Sequence, residues 1–263
     1  MTRVRGSFRP PEAIGLDLDN TLVQGTDYRY HAPRWRYAVE KAIGLADPEF
    51  RGLSAEQWAA LKEQCFGRPQ VESVQTLLKL LNTAFGVTSS AESLTASAME
   101  ALQGMEPACG ELTQGVVTFL LDMRRAGVRL GVATSSDGAF ARWILERAGI
   151  TSFIDAIVPA DHPNLRGRYK PGPGPWQELW RELQVTNSGR VVVVEDNQDA
   201  LLGAMASHRR VAGVIIAPQG RTEPLNRQAP GAPGGAGRIL YRRDFSGLAD
   251  EVLRKERRTI HED

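Results

Sequence analysis

The chain has 263 residues, of which 42% are apolar and 24% charged, and its formal net charge at pH 7 is +1. This composition is typical of a globular protein with one large domain, or with a core and a smaller module. The charge balance provides no overall attraction to nucleic acid or to an anionic membrane, so we expect neither as a partner. No segment has the run of about 18 apolar residues that a membrane span requires.

The N-terminal residues and the cysteines indicate the compartment. The first twelve residues are basic but lack the apolar segment of a secretory signal peptide. Cys65 and Cys109 are far apart and form no CxxC motif, which favours free thiols over a disulfide. We therefore expect a cytoplasmic protein, and the sequence does not distinguish a monomer from a homodimer. The four histidines show no metal-ligand spacing, so we assign them no chemistry.

The first half of the chain reads as a short strand followed by helices. The apolar run at residues 13–16 predicts a short buried strand, which we place at about 13–18. Residues 27–107 contain no run of β-branched residues and show helical spacing of apolar side chains instead. The clearest stripe consists of Trp35, Ala38, Val39, Ala42 and Ile43. The glycines that we predict as helix ends or loops are Gly44, Gly67 and Gly86.

From about residue 112 the pattern alternates between helices and strands. Gly127 is the predicted C-terminal cap of the first of these helices. The predicted strands cover residues 128–133, 154–158, 191–194 and 211–216. The wholly apolar strand at 191–194 is typical of a parallel sheet that is covered on both faces. The alternation predicts an α/β fold, with a doubly wound parallel sheet and an inserted helical domain.

Two further segments stand out by composition. Residues 218–238 repeat Pro and Gly, which predicts a flexible surface loop. Residues 28–36 are rich in Tyr, Arg and Trp. This second segment is consistent with an amphipathic helix that has a solvated arginine face, or with a surface that stacks on or ion-pairs with a substrate.

Two aspartates follow the first strand. Asp17 and Asp19 are two residues apart, so in extended backbone their side chains point to the same side. Two like charges in one pocket repel each other unless a cation neutralises them. Such a pair can divide the work, with one acid acting as nucleophile and metal ligand and the other as general acid/base. A turn with solvated side chains is the alternative.

The segment Asp17-Leu18-Asp19-Asn20-Thr21 resembles the first motif of the haloacid dehalogenase superfamily, whose members are mostly phosphate-ester hydrolases with a Rossmann-like fold. The strand 128–136, the pair Lys170-Pro171 and the strand 191–196 resemble its other motifs, in the same order. The resemblance implies a Rossmann-like core at 1–26 and 108–263. It also implies a helical cap of the C1 type at 27–107, as in phosphoglycolate-phosphatase-like and β-phosphoglucomutase-like members.

The resemblance implies a role for each motif residue. Asp17 would be the nucleophile that forms an aspartyl-phosphate, and Asp19 would be the general acid/base. The superfamily's dehalogenases lack an acid at the second position, so Asp19 favours a phosphatase. The residues that would bind the transferring phosphoryl group are Thr134, Ser135 and Lys170.

The resemblance also implies a Mg²⁺ site, since hard oxygen ligands suit this ion. Asp17 and Asp196 would supply carboxylate oxygens, and Asp19 its backbone carbonyl. Glu195 would bind directly or through water. The usual family motif has Ser and Gly where this chain has Asn197 and Ala200, which leaves the shape of the loop open.

Each of these motifs also has a structural interpretation. Asp196, followed by Asp199, could cap the next helix, and this is compatible with metal binding. Thr134 could likewise be a helix N-cap. Taken alone, a lysine before Pro-Gly-Pro-Gly-Pro is typical of a solvated loop. Lys170 is assigned to the site because it lies between the other motifs in the expected order.

Phe66-Gly67-Arg68-Pro69 resembles the substrate-specificity loop of the cap, which implies that Arg68 contacts a second anionic or hydroxyl group of the substrate. A solvated surface arginine is the alternative. The resemblance as a whole implies a Mg²⁺-dependent phosphatase that acts on a small soluble phosphomonoester through an aspartyl-phosphate. A β-phosphoglucomutase-like phosphomutase and a non-catalytic binding protein on the same scaffold are the alternatives.

Overall fold

The computed structural model describes residues 10–24, 28–65, 70–85, 91–103, 110–216 and 239–254. The strands in these ranges are β1 (Ala13–Leu16), β2 (Val23–Gln24), β3 (Glu111–Leu112), β4 (Arg129–Ala133), β5 (Ala156–Val158), β6 (Val191–Glu195), β7 (Val211–Ile216) and β8 (Ile239–Arg242). The helices are α1 (Tyr28–Ala46), α2 (Ala55–Cys65), α3 (Gln70–Phe85), α4 (Ala91–Gln103), α5 (Val116–Arg125), α6 (Gly138–Arg147), α7 (Gly174–Glu182), α8 (Gln198–Ser207) and α9 (Leu248–Arg254).

Six of the strands form one parallel sheet in the order β5-β4-β1-β6-β7-β8. The first strand is central, since Leu16 pairs with Val132 of β4 on one side and with Val194 of β6 on the other. The sheet therefore extends from β1 through β4 on one side and through β6 on the other. Ligands of such sheets bind outside the carboxyl ends of the strands, at the point where the strand order reverses direction. The predicted doubly wound α/β fold is confirmed.

Helices cover both faces of the sheet. On one face, α5, α6 and α9 bury apolar side chains such as Phe119, Ile144 and Leu248. On the other face, α7 and α8 bury Trp176 and Leu201 among others. Since both faces are covered, all five residues of β6 are buried, in agreement with the wholly apolar run at this strand.

The close approach of α7 to the sheet depends on a glycine in β1. A Cβ atom on Gly15 would lie 2.7 Å from Cη2 of Trp180 and 2.9 Å from Cζ3 of Trp176. A side chain at this position would force both indole rings away from the strand. The glycine therefore allows two large aromatic rings to pack directly on the central strand.

The helices α1–α4 form a separate layer with its own core, at the place where the helical cap is expected. The apolar stripe of α1 contributes Ala38, Val39, Ala42 and Ile43 to this core. The helix continues through Gly44 to Ala46, so the predicted helix end at Gly44 is wrong. Glycine inside a helix is tolerated at a cost of about 1 kcal/mol relative to alanine, which tertiary packing readily outweighs.

The antiparallel pair β2–β3 lies where the chain leaves the core and returns to it. Val23 pairs with Leu112, and the Gln24 side-chain amide donates a 2.8 Å hydrogen bond to Oγ1 of Thr113. This pair was not predicted, because two residues are too few for a periodic pattern. The predicted boundaries of the cap, at 26/27 and 107/108, fall in or beside residues outside the described ranges.

Several other predictions can be compared with the structure. Gly127 follows Ala126, the C-cap residue of α5, and has a φ of +73°, as predicted for a helix C-terminus. The strands β1, β4 and β5 are each shorter than the strands predicted at 13–18, 128–133 and 154–158. In particular, β1 ends at Leu16. The carbonyl of Leu18 instead accepts two backbone hydrogen bonds from a tight turn.

Some predictions concern residues that the structure does not describe. Arg68, the loop 218–238 and the side chains of both cysteines lie outside the described residues. In the aromatic and basic segment 28–36, the structure describes the side chain of Arg36, which pairs with Glu40 at 2.9 Å within the cap. No helix in the described ranges combines the length and the hydropathy that crossing a membrane requires.

Candidate active site

A buried ion-pair cluster joins three elements at the carboxyl edge of the sheet. Asp17 directly follows β1, Glu195 is the last residue of the adjacent β6, and Lys170 lies in the loop before α7. The Lys170 ammonium lies 2.6 Å from Oδ1 of Asp17 and 2.6 Å from Oε1 of Glu195. At most 8% of each side chain is exposed, so solvent screens these charges little.

The charges in this cluster shift one another's pKa. Burial alone would lower the pKa of Lys170, but the negative charges of Asp17 and Glu195 outweigh burial and raise it, so the ammonium stays charged. Burial raises the pKa of Asp17, the neighbouring Glu195 raises it further, and Lys170 opposes both effects. One ammonium thus offsets only part of the negative charge at this edge.

Hydrogen bonds fix the orientation of both carboxylates. The Thr21 hydroxyl donates to Oδ2 of Asp17 at 2.9 Å, while Lys170 holds the other oxygen. Oε2 of Glu195 accepts the backbone N–H groups of Asp196 and Asn197, both at 2.9 Å. Each carboxylate is therefore held at both of its oxygens. Sequence reasoning missed the role of Thr21, although this residue stands in the first motif.

Asp196 completes an acidic cluster that fits a divalent cation. Asp17, Glu195 and Asp196 each place a carboxylate oxygen within 4.8 Å of the others. Burial raises the pKa of Asp196, and the charges of Asp17 and Glu195 raise it further. Three carboxylates beside one ammonium leave an excess of negative charge, and hard oxygen donors are the ligands that Mg²⁺ prefers.

The helix that follows these acids is capped by Asn197 and not by Asp196. Oδ1 of Asn197 accepts the backbone N–H groups of Asp199 at 2.9 Å and of Ala200 at 3.1 Å. The capping interpretation of Asp196 is therefore wrong. This geometry also accounts for the departure from the family motif, because Asn is a strong N-cap residue and Ala200 packs in a buried position of α8.

Asp19 lies against the hydroxyl residues that follow β4. Thr134 donates to Oδ2 of Asp19 at 3.1 Å, and Ser136 donates to the same oxygen at 2.8 Å. Ser136 was missed by sequence reasoning, although it is the third hydroxyl residue of the Thr-Ser-Ser run. Ser135 is exposed at the end of this strand, and its role in binding phosphate stays a prediction.

One hydrogen bond links this site to the cap. The hydroxyl of Tyr169, the residue before Lys170, donates at 2.7 Å to Oε1 of Glu72 in the first turn of α3. The two residues are 97 positions apart in the chain. No local pattern signals such a contact, so sequence reasoning missed it. The structure thus connects the lysine loop of the core directly to a cap helix.

Residues 11–208 match the family described as haloacid dehalogenase-like hydrolase. Since this match covers most of the chain, the protein belongs to the haloacid dehalogenase-like hydrolase family, and the predicted family and enzyme class are confirmed.

Curated relatives include two kinds of protein. The tyrosine-protein kinase PtkA of Mycobacterium tuberculosis is 30% identical over 157 residues, which are 60% of this chain and 47% of that protein. The chain thus spans about half the length of the PtkA proteins that it matches. The phosphoglycolate phosphatase of Rhodospirillum rubrum is 25% identical over 247 residues, covering 91% of this chain and 90% of that protein.

Solved structures share the whole architecture. CbbY from Rhodobacter sphaeroides, in complex with phosphate, has a TM-score of 0.59 at 20% identity and covers 92% of this chain and 99% of its own. A putative β-phosphoglucomutase from Thermotoga maritima has a TM-score of 0.56 at 20% identity, with coverages of 95% and 100%. At these identities the likeness shows the fold, which is the predicted Rossmann-like core with a helical cap. The family and its relatives together support chemistry of the phosphatase or phosphomutase type.

Proposed function

We propose that the protein is a Mg²⁺-dependent phosphatase that hydrolyses a small phosphomonoester through an aspartyl-phosphate on Asp17. The observation that carries the proposal is the buried position of the Lys170 ammonium, 2.6 Å from both Asp17 and Glu195. An ammonium at this place orients the nucleophilic carboxylate and offsets the negative charge of an incoming phosphoryl group. Phosphate monoesters hydrolyse extremely slowly without such stabilisation.

In the first half-reaction, a carboxylate oxygen of Asp17 forms a bond to phosphorus, and the bond from phosphorus to the ester oxygen breaks. Asp19 donates its proton to the leaving alkoxide. In the second half-reaction, a water molecule attacks phosphorus and gives its proton to Asp19. The bond between phosphorus and the Asp17 oxygen breaks, inorganic phosphate leaves, and the Asp17 carboxylate is restored. The acid/base group is thus returned to its starting state.

The surroundings of Asp19 suit this role. Thr134 and Ser136 donate hydrogen bonds to one oxygen of Asp19, which fixes the side chain beside the end of β4. Free backbone N–H groups and hydroxyls at a junction between strand and helix also bind phosphate oxygens. We therefore assign phosphate binding to Thr134, Ser135 and Lys170.

The metal proposal rests on the acidic cluster and on the resemblance of the motifs to those of the family. Asp17 and Asp196 would bind the ion directly, together with the backbone carbonyl of Asp19. Glu195 already accepts three hydrogen bonds, so we assign it binding through water. When bound, the ion supplies Lewis-acid stabilisation of the phosphoryl oxygens.

The cap limits the size of the substrate. Helices α1–α4 are inserted between the first aspartates and the rest of the core, and Tyr169 ties this layer to the lysine loop. Closure of such a layer over a site excludes water and large substrates. We therefore propose a small phosphoester as the substrate, with Arg68 contributing to its selection.

A second candidate function is transfer of the phosphoryl group to a hydroxyl acceptor. It is favoured by the 30% identity to proteins named tyrosine-protein kinase PtkA, and the fold is also that of a putative β-phosphoglucomutase. Hydrolysis and transfer share the aspartyl-phosphate and differ in the acceptor. A non-catalytic role is disfavoured, because an intact cluster of buried charges is costly for a scaffold that performs no chemistry.

The test is a screen of phosphorylated metabolites for release of inorganic phosphate, with Asp17→Asn as the control. Phosphate release by the parent and none by the variant would support the phosphatase. If the phosphoryl group moves to another hydroxyl without release, the transferase is the correct assignment. If neither reaction occurs with any substrate, both proposals fail.

A further inference from the structure

An aromatic ring lies beside the catalytic lysine. The Lys170 ammonium is 4.7 Å from the centroid of the Trp176 ring, within the range of a cation–π contact. Trp176 is completely buried, and 6% of the Lys170 side chain is exposed. Such contacts are stronger where water is excluded, because solvent does not compete for the cation.

The indole N–H of Trp176 is not what holds this residue in place. Its Nε1 atom is buried without a hydrogen-bond partner among the described residues. A buried donor without a partner is unfavourable, and indole groups in protein interiors usually find one. The contribution of Trp176 must therefore come from the apolar ring and its face, which contacts the ammonium.

The ring is held firmly from its other sides. Gly15 allows Trp176 to approach β1, and Gly15 lies on the same side of the strand as Asp17. The ring also stacks on Trp180, with 6.3 Å between the centroids. The ring therefore has little freedom to move away from the lysine.

We propose that Trp176 is a positioning residue, whose ring face keeps the Lys170 ammonium at the point where it acts on Asp17 and on the phosphoryl group. This inference rests on the proposed function. When Asp17 becomes an aspartyl-phosphate, the charge of its carboxylate is replaced by the charge of the bound phosphoryl group, so the position of the anion beside Lys170 changes. The ring and Glu195 then hold the ammonium in place while water attacks phosphorus.

The first test compares Trp176→Phe, which keeps an aromatic face, with Trp176→Leu, which removes it. We measure kcat and KM with p-nitrophenyl phosphate. A contact worth about 2 kcal/mol corresponds to a roughly 30-fold lower kcat for the leucine variant. The phenylalanine variant should stay within about threefold of the parent. An equal loss of kcat in both variants would overturn the proposal, since volume and not the aromatic face would then matter.

Leu183→Ala is the matched control, because Leu183 is buried at the C-terminal end of the same helix and packs near Gly131 of β4. We expect this variant to unfold at lower temperature while its kcat per folded molecule stays near that of the parent. A 30-fold loss of kcat in the Leu183 variant would also overturn the proposal, because general loosening of α7 would then explain both results.

A double-mutant cycle on stability tests the contact without relying on activity. Trp176→Leu is made in the parent and in a Lys170→Met background, and the free energy of unfolding of all four proteins is measured in urea. Trp176→Leu should destabilise the parent more than it destabilises the Lys170→Met background. Equal effects would show that the ring and the ammonium do not interact. If the parent hydrolyses no phosphoester, this cycle still decides the contact, so a failure of the proposed function is distinguishable from a failure of this inference.

Discussion

The Tyr169 hydroxyl donates a 2.7 Å hydrogen bond to Oε1 of Glu72 and so joins the core to the cap one residue before Lys170. The contact is exposed, so its net strength lies near that of an ordinary hydrogen bond, about 0.5–1.5 kcal/mol. It ties the position of a cap helix to the loop that carries the ammonium. We therefore expect closure of the cap and the placement of Lys170 to be coupled through this contact.

Removing the tyrosine hydroxyl should weaken this coupling. We expect Tyr169→Phe to lower kcat/KM by about two- to tenfold, because the cap would spend less time in the closed state. Steady-state kinetics with p-nitrophenyl phosphate measure the effect. Tyr37→Phe is the control, since Tyr37 is an exposed tyrosine of the cap. Equal values of kcat/KM for the parent and Tyr169→Phe would contradict the coupling.

The acidic cluster predicts that Asp196→Asn raises the thermal stability of the metal-free protein and removes the stabilisation by Mg²⁺. Without Mg²⁺ the variant should melt at a higher temperature than the parent, because it loses a carboxylate whose pKa is raised by burial and by neighbouring acids. Mg²⁺ at about 100 times its Kd should stabilise the parent by about 2.7 kcal/mol and leave the variant unchanged. Thermal unfolding measures both effects.

Asp199→Asn is the control for this experiment, since Asp199 is an exposed acid on α8 and does not belong to the cluster. It should behave as the parent does, with and without Mg²⁺. A parent protein whose melting temperature does not respond to Mg²⁺ would contradict the metal assignment. Full turnover of a phosphoester in excess EDTA would contradict it as well.

The roles of the two aspartates predict different losses. Asp17→Asn should abolish turnover of every ester, because no aspartyl-phosphate forms. Asp19→Asn should be least harmful with p-nitrophenyl phosphate, whose leaving group needs little protonation, and most harmful with an alkyl phosphate. The ratio of kcat/KM for the two esters measures the difference. If Asp19→Asn lowers both values equally, Asp19 is not the general acid.

Away from the site, Glu178 should make stability depend on pH. Hydrogen bonds from Arg181 lower its pKa to about 2, and burial opposes this effect only in part. The carboxylate therefore stabilises the fold fully above its unfolded pKa of about 4.3, and the contribution disappears as the pH falls toward 2. Because 60% of the Arg181 side chain is exposed, we expect about 1–2 kcal/mol and no more.

Urea unfolding of Glu178→Gln at pH 7 and at pH 3 measures this contribution. The variant should be less stable than the parent at pH 7, and the difference should shrink at pH 3. Glu182→Gln is the control, since Glu182 also contacts Arg181 but is far more exposed, and it should show little difference at either pH. A deficit of Glu178→Gln that is the same at both pH values would contradict the role of the charge.

The grouping of charged residues at one edge of the sheet could be predicted largely from the sequence. Asp17, Lys170 and Glu195 lie together as expected, because the carboxyl ends of parallel strands meet at one edge. The pattern could not show which hydroxyl of the Thr-Ser-Ser run faces Asp19. The turn after β4 decides this point, and it turns Ser136 toward the acid while Ser135 is exposed.

Contacts that depend on how helices dock on the core could not be predicted. The pairing of Tyr169 with Glu72 depends on how the cap sits on the core, and the contact of Trp176 with Lys170 depends on how α7 docks on β1. Trp176 lies on the buried apolar face of α7, but helical periodicity does not show what a buried ring contacts. The edge strand β8 was missed because its residues are half-buried and carry no periodic pattern.

The central claim is that Asp17 carries the phosphoryl group, and trapping this intermediate tests it most directly. The parent protein is mixed with p-nitrophenyl phosphate and Mg²⁺, quenched in acid within the first turnover, and digested for mass spectrometry. We predict a phosphorylated peptide that contains Asp17, that loses its phosphoryl group in hydroxylamine, and that is absent from Asp17→Asn. Steady turnover by Asp17→Asn, or phosphorylation at another residue, would contradict the account.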